Sequence, residues 1–509
     1  MTTDGRPDRR SPIDMTAEEF REAGHRLVDA IAEFYASLPN RRVSPGEPAR
    51  ALRESLRARE LPDEGRAAAE LLAETAPWLF EHSLHNGHPR FFGYITSSAA
   101  PVGALADLLA AAVNANVGLW DLSPAASEIE AQTVRWLAEL VGFGGDCGGL
   151  MVSGGNMANF LAFVAARRAK TPWNVREAGL GGGQRRLLAY GSRETHTWIQ
   201  KAADVTGLGT DAIRWIPTDA AQRLDVAALR EQVERDRAAG FLPFIVVGTA
   251  GNVSTGAVDP LPAIRSVASE QGLWFHVDGA YGAPAAALPD APEDLRGIAL
   301  ADSVALDPHK WLYAPIEAAC VLVRDRKHLL DAFSYRPPYY HLAHGTGGDD
   351  EPGNDYYELG LQNTRGFRAL KVWLGLRQIG REGLRRSIAK DIELAESLFR
   401  HAERHDELEA CTRSLSIATF RYVPAALRRR LGELPVEVYL NDLNEALLPR
   451  LKASGELYVS NAVLGGRYVL RACIVNFRTS AADVASVPDI VARHGRVLDR
   501  DMRPPELAG

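Results

Sequence analysis

Three side chains of kinds that often take part in catalysis lie at or just after the ends of short apolar runs in the sequence. In "ALDPHKWLYAP", Lys310 follows such a run, although an ammonium group resists burial unless it is paired or discharged. In "LWFHVDGA" the run ends at Asp278, a carboxylate that needs a cation or hydrogen-bond donors there. In "LLAYGSRETHTW", His196 follows a third run. Taken singly, each has a simpler interpretation, because solvated lysines and structural histidines are common.

A fourth feature is a glycine turn in "VSGGNMANF", where Gly154, Gly155 and Asn156 separate an apolar run from a helical pattern. Glycines allow the backbone to approach an anion, and a helix start offers free N–H groups with a partial positive charge. Alone, the pair of glycines predicts no more than a tight turn.

A single cofactor accounts for all four features. Pyridoxal phosphate (PLP) requires a Schiff-base lysine, an acid that keeps the ring nitrogen protonated, an anion-binding turn and a group that covers the ring. Lys310, Asp278, the glycine turn and His196 supply these functions. Asp278 and Lys310 are 32 residues apart, which is enough for one crossover and one further strand. We therefore predict both residues at the same edge of a sheet.

The elements that must position these residues alternate along the middle of the chain. Apolar runs such as "GLMVSGG", "RRLLAYGS", "FIVVGTAG", "DSVALD" and "ACVLV" predict buried strands, and "ANFLAFVAARRA" and "VAALREQVERDRAAG" predict helices between them. This alternation predicts an α/β fold with a mostly parallel sheet and a site at the carboxyl ends of its strands.

Three regions follow from the pattern: an N-terminal helical arm over residues 1–90, a large domain over 91–380 and a small α+β domain over 381–509. The arm begins with a capping box, Thr16 and Glu19, before an apolar helical stripe. That stripe predicts packing either on a partner subunit or on the same chain. The strand-like runs "LSIATFRYV" and "YVLRACIVNF" define the small domain.

Composition narrows the class of protein. The 509 residues are 46% hydrophobic and 24% charged, which is typical of a globular chain, and the net charge is −7. Without a basic cluster we expect no nucleic-acid binding, and without a long apolar segment we expect no membrane association. The four cysteines are widely separated and lack metal-ligand spacing, so we predict a cytoplasmic protein without a metal site.

The sequence resembles the group II PLP-dependent amino-acid decarboxylases, most closely the aromatic-L-amino-acid decarboxylases. The motifs that carry the resemblance are "DPHKWLY", "HVDGAYG", "SRETHTWIQKA", "HPRFFGYITSSAAP" and the glycine turn. It extends over nearly the whole chain. It implies the fold of aspartate aminotransferase (fold type I), an amino-acid substrate and an obligate homodimer with shared active sites.

The resemblance also assigns roles by position. Lys310 and Asp278 take the roles given above, and His196 and Ala280 would face the two sides of the cofactor ring. The other implied cofactor contacts are Ser97, Gly155, Asn156, Asp307 and His309. The implied substrate pocket comprises Tyr94, Ile95 and Thr96, with Val117 and Leu119 reaching into the neighbouring subunit's site. Tyr339, in the loop "SYRPPYYHLAHGTGGDDEPGNDYYELG", matches the family's proton donor, although Tyr340 is adjacent.

Two positions depart from the family pattern. The turn "GNVSTGAVD" has Asn252 and Val253 where the family usually has paired threonines, so either Asn252 or Thr249 is the expected cofactor donor. The run "TRGFR" places Thr364 at a position associated with the choice between indole and phenol rings, and Gly366 replaces an arginine. The substrate therefore stays open, with an aromatic amino acid favoured by the apolar pocket residues.

Four functions are compatible with these features. The first is decarboxylation of an aromatic L-amino acid to the amine. The second couples decarboxylation to oxidative deamination and yields an aldehyde; in the resembling family it accompanies loss of the loop tyrosine or of the stacking histidine, and both are present here. The third is decarboxylation of glutamate or another non-aromatic amino acid. The fourth, a silent binding protein, is disfavoured by the complete set of Lys310, Asp278 and His196.

Overall fold

A seven-stranded sheet forms the centre of the computed structural model, which describes residues 13–56, 60–183, 185–335 and 353–507. The strands are β1 (Gly148–Val152), β2 (Leu187–Ser192), β3 (Ile213–Ile216), β4 (Leu242–Thr249), β5 (Trp274–Asp278), β6 (Ser303–Leu306) and β7 (Ala319–Val323). Their spatial order is β1-β7-β6-β5-β4-β2-β3. Only β7 is antiparallel to its neighbours, so the predicted mostly parallel sheet is confirmed.

Helices cover both faces of this sheet because its strands are apolar on both sides. The helices are α1 (Ala17–Ser37), α2 (Ala49–Ser55), α3 (Ala68–His82), α4 (Pro101–Val113), α5 (Pro124–Leu140), α6 (Gly155–Lys170), α7 (Val175–Ala178), α8 (Trp198–Val205), α9 (Val226–Ala238), α10 (Leu261–Glu270), α11 (Lys327–Phe333), α12 (Ala369–Arg404), α13 (Leu434–Ser454), α14 (Ala481–Ala485) and α15 (Val487–Met502). Within the described residues, none of them is long and apolar enough to cross a membrane.

A second sheet lies in the C-terminal part of the chain. Its strands are β8 (Leu408–Ser414), β9 (Ile417–Tyr422), β10 (Ser460–Leu464) and β11 (Arg467–Cys473), all antiparallel in the order β10-β11-β9-β8. Helices α12, α13 and α15 bury a separate hydrophobic core against it. Helix α12 joins the two parts and is interrupted at Gly380, whose φ of 65° is not helical. The domain boundaries themselves stay a prediction.

The N-terminal arm begins as its capping box predicts. The Thr16 hydroxyl accepts from the backbone N–H of Glu19, and the Glu19 carboxylate accepts from the backbone N–H of Thr16. Helix α1 packs on α3, where the Phe34 and Phe80 rings stack with centroids 4.4 Å apart. Phe20, on the predicted apolar stripe, is 56% exposed. Part of that stripe therefore has no cover within the described chain.

Strand β3 is the element of the central sheet that the sequence did not predict. It is four residues long, and of its inner positions Arg214 is half-buried and Trp215 is 37% exposed. Such an edge strand lacks the continuous apolar run that identified the buried strands.

Candidate active site

The predicted residues converge on one cavity at the carboxyl ends of β4, β5 and β6. Its volume is about 390 Å³. Eleven residues named as candidates in the sequence line it: Ile95, Gly154, Gly155, Asn156, His196, Thr249, Asp278, Ala280, Asp307, His309 and Lys310. A larger cavity of about 820 Å³ lies beside Phe160 and Tyr335 and includes none of the predicted catalytic residues. The chemistry therefore belongs to the smaller cavity.

Lys310 is held by a carboxylate of its own turn. Its Nζ lies 2.9 Å from Oδ2 of Asp307, which is itself buried. Burial opposes the charge on Lys310, but the attraction and hydrogen bond of Asp307, together with Asp278, raise the pKa of the lysine above its ordinary value. The lysine side chain keeps 22% of its surface exposed, toward the cavity. It is thus paired without being closed off from a ligand.

Asp278 ends β5 with both carboxylate oxygens occupied by neutral donors. Trp198 Nε1 donates to Oδ2 over 2.8 Å, and the backbone N–H of Ala280 donates to Oδ1 over 3.2 Å. The side chain two residues earlier on the same strand, His276, contacts the Trp198 ring edge-on with centroids 5.6 Å apart. Burial lowers the pKa of His276 to about 4. A fixed negative charge therefore points into the cavity beside a neutral histidine.

The glycine turn forms a cradle next to Lys310. Helix α6 starts at Gly155 and its N-cap is Gly154, which has no side chain to cap the first N–H groups. A Cβ on Gly155 would lie 2.6 Å from Oδ2 of Asp307. Only glycine therefore allows the helix start to come this close to the lysine turn, and its N–H groups can receive an anion.

Two histidines line the wall of the cavity. His196 remains solvent-accessible; partial burial lowers the pKa of its imidazole, opposed by Asp278 and Asp307 and assisted by Lys310. His309 makes a 2.7 Å contact from Nδ1 to the Ala318 carbonyl, and its own carbonyl accepts from the Ser97 hydroxyl over 2.9 Å. Ser97 thus lies behind the wall and supports the turn.

The structure separates the two alternatives at the turn after β4. The Asn252 amide is occupied by other contacts: it donates to the Gln222 carbonyl over 3.0 Å and accepts from the N–H of Thr255, in its own turn, over 2.8 Å. It is not among the cavity-lining residues, whereas Thr249 is, and the buried Thr249 hydroxyl has no partner in the described chain. The geometry favours Thr249 as the cofactor donor.

The predicted substrate residues are only partly brought together. Ile95 lines the cavity, but Tyr94, Thr96, Leu119 and Thr364 are not among its lining residues. Val117 is fully buried in the main core of its own chain. Its reach into a neighbouring subunit's site stays a prediction. Tyr339 and Tyr340 lie outside the described residues.

Several residues at or beside the cavity were missed in the sequence, and three of them make polar contacts there. Trp198 orients Asp278, and Glu317 lines the cavity and accepts from Arg368 Nε over 2.8 Å. Arg471 is 3% exposed and donates to the carbonyl of Val253, a lining residue, while its Nε has no partner in the described chain. The signal for Arg471 was available, because a lone arginine interrupts the apolar strand "YVLRACIVNF".

These residues fit PLP. The fit rests on two buried polar atoms at the wall that lack partners in the described chain, the acceptor Asp307 Oδ1 and the donor hydroxyl of Thr249, and on the cradle at Gly155 that a Cβ would fill. Lys310 would carry the cofactor, Asp278 would face its ring nitrogen, and the start of α6 would hold its phosphate. No group of histidine, cysteine or carboxylate side chains in the described residues could hold a metal ion.

Comparison with known proteins agrees with this class of enzyme. The family model described as "Pyridoxal-dependent decarboxylase conserved domain" matches residues 50–423. An aromatic-L-amino-acid decarboxylase of Bacillus atrophaeus is 33% identical over 93% of this chain and 95% of its own. A phenylacetaldehyde synthase of a Rosa hybrid cultivar is 30% identical, covering 94% of each chain. The crystal structure of Oryza sativa TDC with PLP and tryptamine superposes with a TM-score of 0.87 at 29% identity, over 97% of this chain and 100% of that one.

The fold and site define a PLP-dependent enzyme of fold type I, which confirms the predicted fold class. The chain belongs to the pyridoxal-dependent decarboxylase family, and it is a PLP-dependent amino-acid decarboxylase.

Proposed function

We propose that this enzyme decarboxylates an aromatic L-amino acid to the corresponding amine and carbon dioxide. The observation that carries the proposal is the convergence of Lys310, Asp307 and Asp278 on one cavity at the end of the parallel strands. The aromatic substrate is supported by the names of relatives that cover most of the chain, among them the Bacillus atrophaeus enzyme.

When bound, PLP supplies an acceptor for the electron pair that is left when the bond to the carboxylate breaks. The chain supplies the charges that make this possible. Asp278, fixed by Trp198 and Ala280, holds a negative charge where the ring nitrogen would lie. Asp307 lies close enough to Lys310 Nζ, at 2.9 Å, to exchange a proton with it when the substrate amine takes the lysine's place.

The wall residues orient the substrate. His196 and Ala280 both line the cavity, and the family resemblance assigns them to the two sides of the cofactor ring. Ile95 provides an apolar surface beside them. Which bond breaks depends on how the substrate is turned relative to that ring, so these side chains would select the carboxylate for departure. Tyr339, through its place in the loop motif, is our candidate for the proton donor that completes the amine.

The assembly is proposed to be a homodimer. Helix α4 exposes an apolar face, with Leu105, Leu108, Leu109 and Val113 each more than half exposed. A contiguous face of this kind typically marks an interface. Phe20 on the arm adds to the uncovered apolar surface. The four free cysteines are compatible with a cytoplasmic protein.

The decisive experiment is incubation of the purified enzyme with each of the twenty amino acids, measuring carbon dioxide, amine and hydrogen peroxide. We expect stoichiometric amine and carbon dioxide with an aromatic amino acid. Aldehyde with hydrogen peroxide would instead identify decarboxylation coupled to oxidative deamination; aldehyde synthesis is the activity in the name of the Rosa relative. Turnover of an acidic amino acid would refute the aromatic assignment.

A substitution of the lysine tests the site. Lys310→Ala should lose both the visible absorption of the bound cofactor and turnover, because it removes the amine that carries the cofactor. Turnover retained with the natural substrate would refute the assignment of Lys310.

A further inference from the structure

The turn that follows Lys310 is held by contacts outside the cavity. Within the turn, the Lys310 N–H donates to the Asp307 carbonyl over 2.8 Å, and the Tyr313 N–H donates to the Lys310 carbonyl over 3.3 Å. Tyr313 has a φ of 57°, in the left-handed region that non-glycine residues rarely adopt. The backbone beside the lysine is therefore held in a conformation that it would not keep without support.

That support comes from a single carboxylate on α12. Trp311 Nε1 and the Tyr313 hydroxyl both donate to Oδ2 of Asp391, over 2.9 and 2.7 Å. Asp391 is 2% exposed, and no lysine or arginine of the described chain lies within ion-pair distance of it. Its partners are thus neutral donors, and two of them are the residues one and three positions after Lys310.

The same contacts reach the cavity through a stacked pair of rings. Trp311 is fully buried and stacks on Tyr281, with centroids 5.0 Å apart and planes 15° apart. Tyr281 lines the cavity. Moving Trp311 would therefore displace the lysine on one side and part of the cavity wall on the other.

We propose that Asp391 is a positioning residue, which fixes Lys310 by holding Trp311 and Tyr313 from the helix that joins the two parts of the molecule. Asp391 does not line the cavity that contains Lys310; it acts through the two aromatic side chains. This role rests on the proposed function only for its kinetic consequences, because the position of Lys310 can be measured without substrate.

The test compares Asp391→Ala with a matched control. Asp499 is also a buried carboxylate that accepts a tyrosine hydroxyl, from Tyr439 over 2.7 Å, but it lies in the second core. We expect Asp391→Ala to lower kcat about 100-fold with a smaller change in KM, as a misplacement of about 1 Å does. Asp499→Ala should lower the unfolding temperature while leaving kcat near the parental value.

A second readout needs neither cofactor nor substrate. In the cofactor-free protein, the rate at which acetic anhydride modifies Lys310, followed by mass spectrometry against the other lysines, reports its surroundings. Asp391→Ala should change that rate several-fold and Asp499→Ala should not. If Lys310 reactivity and kcat in Asp391→Ala both match the parent, the proposal is overturned.

Chemical rescue with formate distinguishes the loss of the hydrogen-bond acceptor in Asp391→Ala from the loss of side-chain packing. Asp391 also lines a cavity of about 460 Å³ with Asn476 and Phe477. Formate can therefore reach the space left in Asp391→Ala, and we expect it to restore part of kcat in that variant but not to raise kcat in the parent or in Asp499→Ala. Absence of rescue would contradict the hydrogen-bond explanation.

Two further variants keep the test available if Asp391→Ala does not fold. Tyr313→Phe and Trp311→Phe remove the donors and leave the carboxylate in place. Each should change Lys310 reactivity in the same direction as Asp391→Ala. The Tyr313→Phe change should add little to Asp391→Ala in the double variant, because both remove the same contact. Parental Lys310 reactivity in both single variants would refute the proposal.

Discussion

Asp278→Asn separates the charge of this side chain from its shape. The substitution keeps the size of the group, but an amide cannot hold a negative charge against the ring nitrogen of the cofactor. A close carboxylate raises the pKa of such a nitrogen by about one to three, which is about 1.4 to 4 kcal/mol. If all of this is lost in the transition state, the rate falls by about tenfold to a thousandfold.

The surroundings of Asp278 add a second cost. Both oxygens accept hydrogen bonds, from Trp198 Nε1 and from the Ala280 N–H. In Asp278→Asn one of these donors must face an amide N–H, which costs about 1 to 3 kcal/mol of stability. Trp198→Phe is the control, because it removes one donor and leaves the charge. We expect the unfolding temperature to fall in both variants, but the large loss of rate only in Asp278→Asn.

The assay combines the visible absorption of bound cofactor, single-turnover rates and thermal unfolding. Both variants should retain the absorption band, because Lys310 is intact. A rate for Asp278→Asn within about threefold of the parent would refute an electrostatic role, and Asp278 would then be a structural residue. Equal losses of rate in the two variants would show that the hydrogen bond to Trp198, rather than the charge, is what matters.

Three other predictions follow from the site. Gly155→Ala places a Cβ 2.6 Å from Asp307 Oδ2, so we expect PLP to dissociate more readily, as measured by equilibrium dialysis. An unchanged affinity for PLP would show that the turn at Gly155 does not bind the cofactor. His276 has a folded-state pKa of about 4, below its ordinary 6.5. The stability that its neutral imidazole contributes above pH 6.5 is therefore lost as the pH falls toward 4. The difference in unfolding temperature between the parent and His276→Gln should shrink over that interval, and a constant difference would contradict the buried neutral form. Tyr339→Phe should yield aldehyde, ammonia and hydrogen peroxide in place of amine, because the carbon that loses carbon dioxide then meets oxygen before a proton. The same change at Tyr340 should leave the amine as product, and the opposite pattern would shift the loop register by one residue.

The sequence predicted the central sheet well because its strands are buried on both faces. Runs such as "FIVVGTAG" and "LWFHVDGA" became β4 and β5, and both are buried along their whole length. The placement of Asp278 and Lys310 at one edge of the sheet was predicted from the number of residues between them, and the shared cavity confirms it. Strand β3 escaped prediction because half of it faces solvent.

Residues that touch the cofactor site were predictable because their chemistry is unusual for their position in the chain. A lysine or an aspartate after an apolar run is conspicuous wherever the chain folds. Val117 shows the limit of this reasoning, since an apolar residue is equally at home in its own core and at an interface, and here it is buried in its own core.

The residues that hold the site in place could not be predicted in the same way. Trp198 and Asp391 each act on a partner about 80 positions away, Asp278 and Trp311 respectively. Nothing local distinguishes Asp391 from the other charged residues of the long helix α12, because its burial arises only when the helix packs against the lysine turn. Side chains that carry chemistry can therefore be found from residue type and spacing, whereas those that position them emerge from packing. The sequence suffices to propose the reaction, and the fold is needed to explain why Lys310 stays where the reaction needs it.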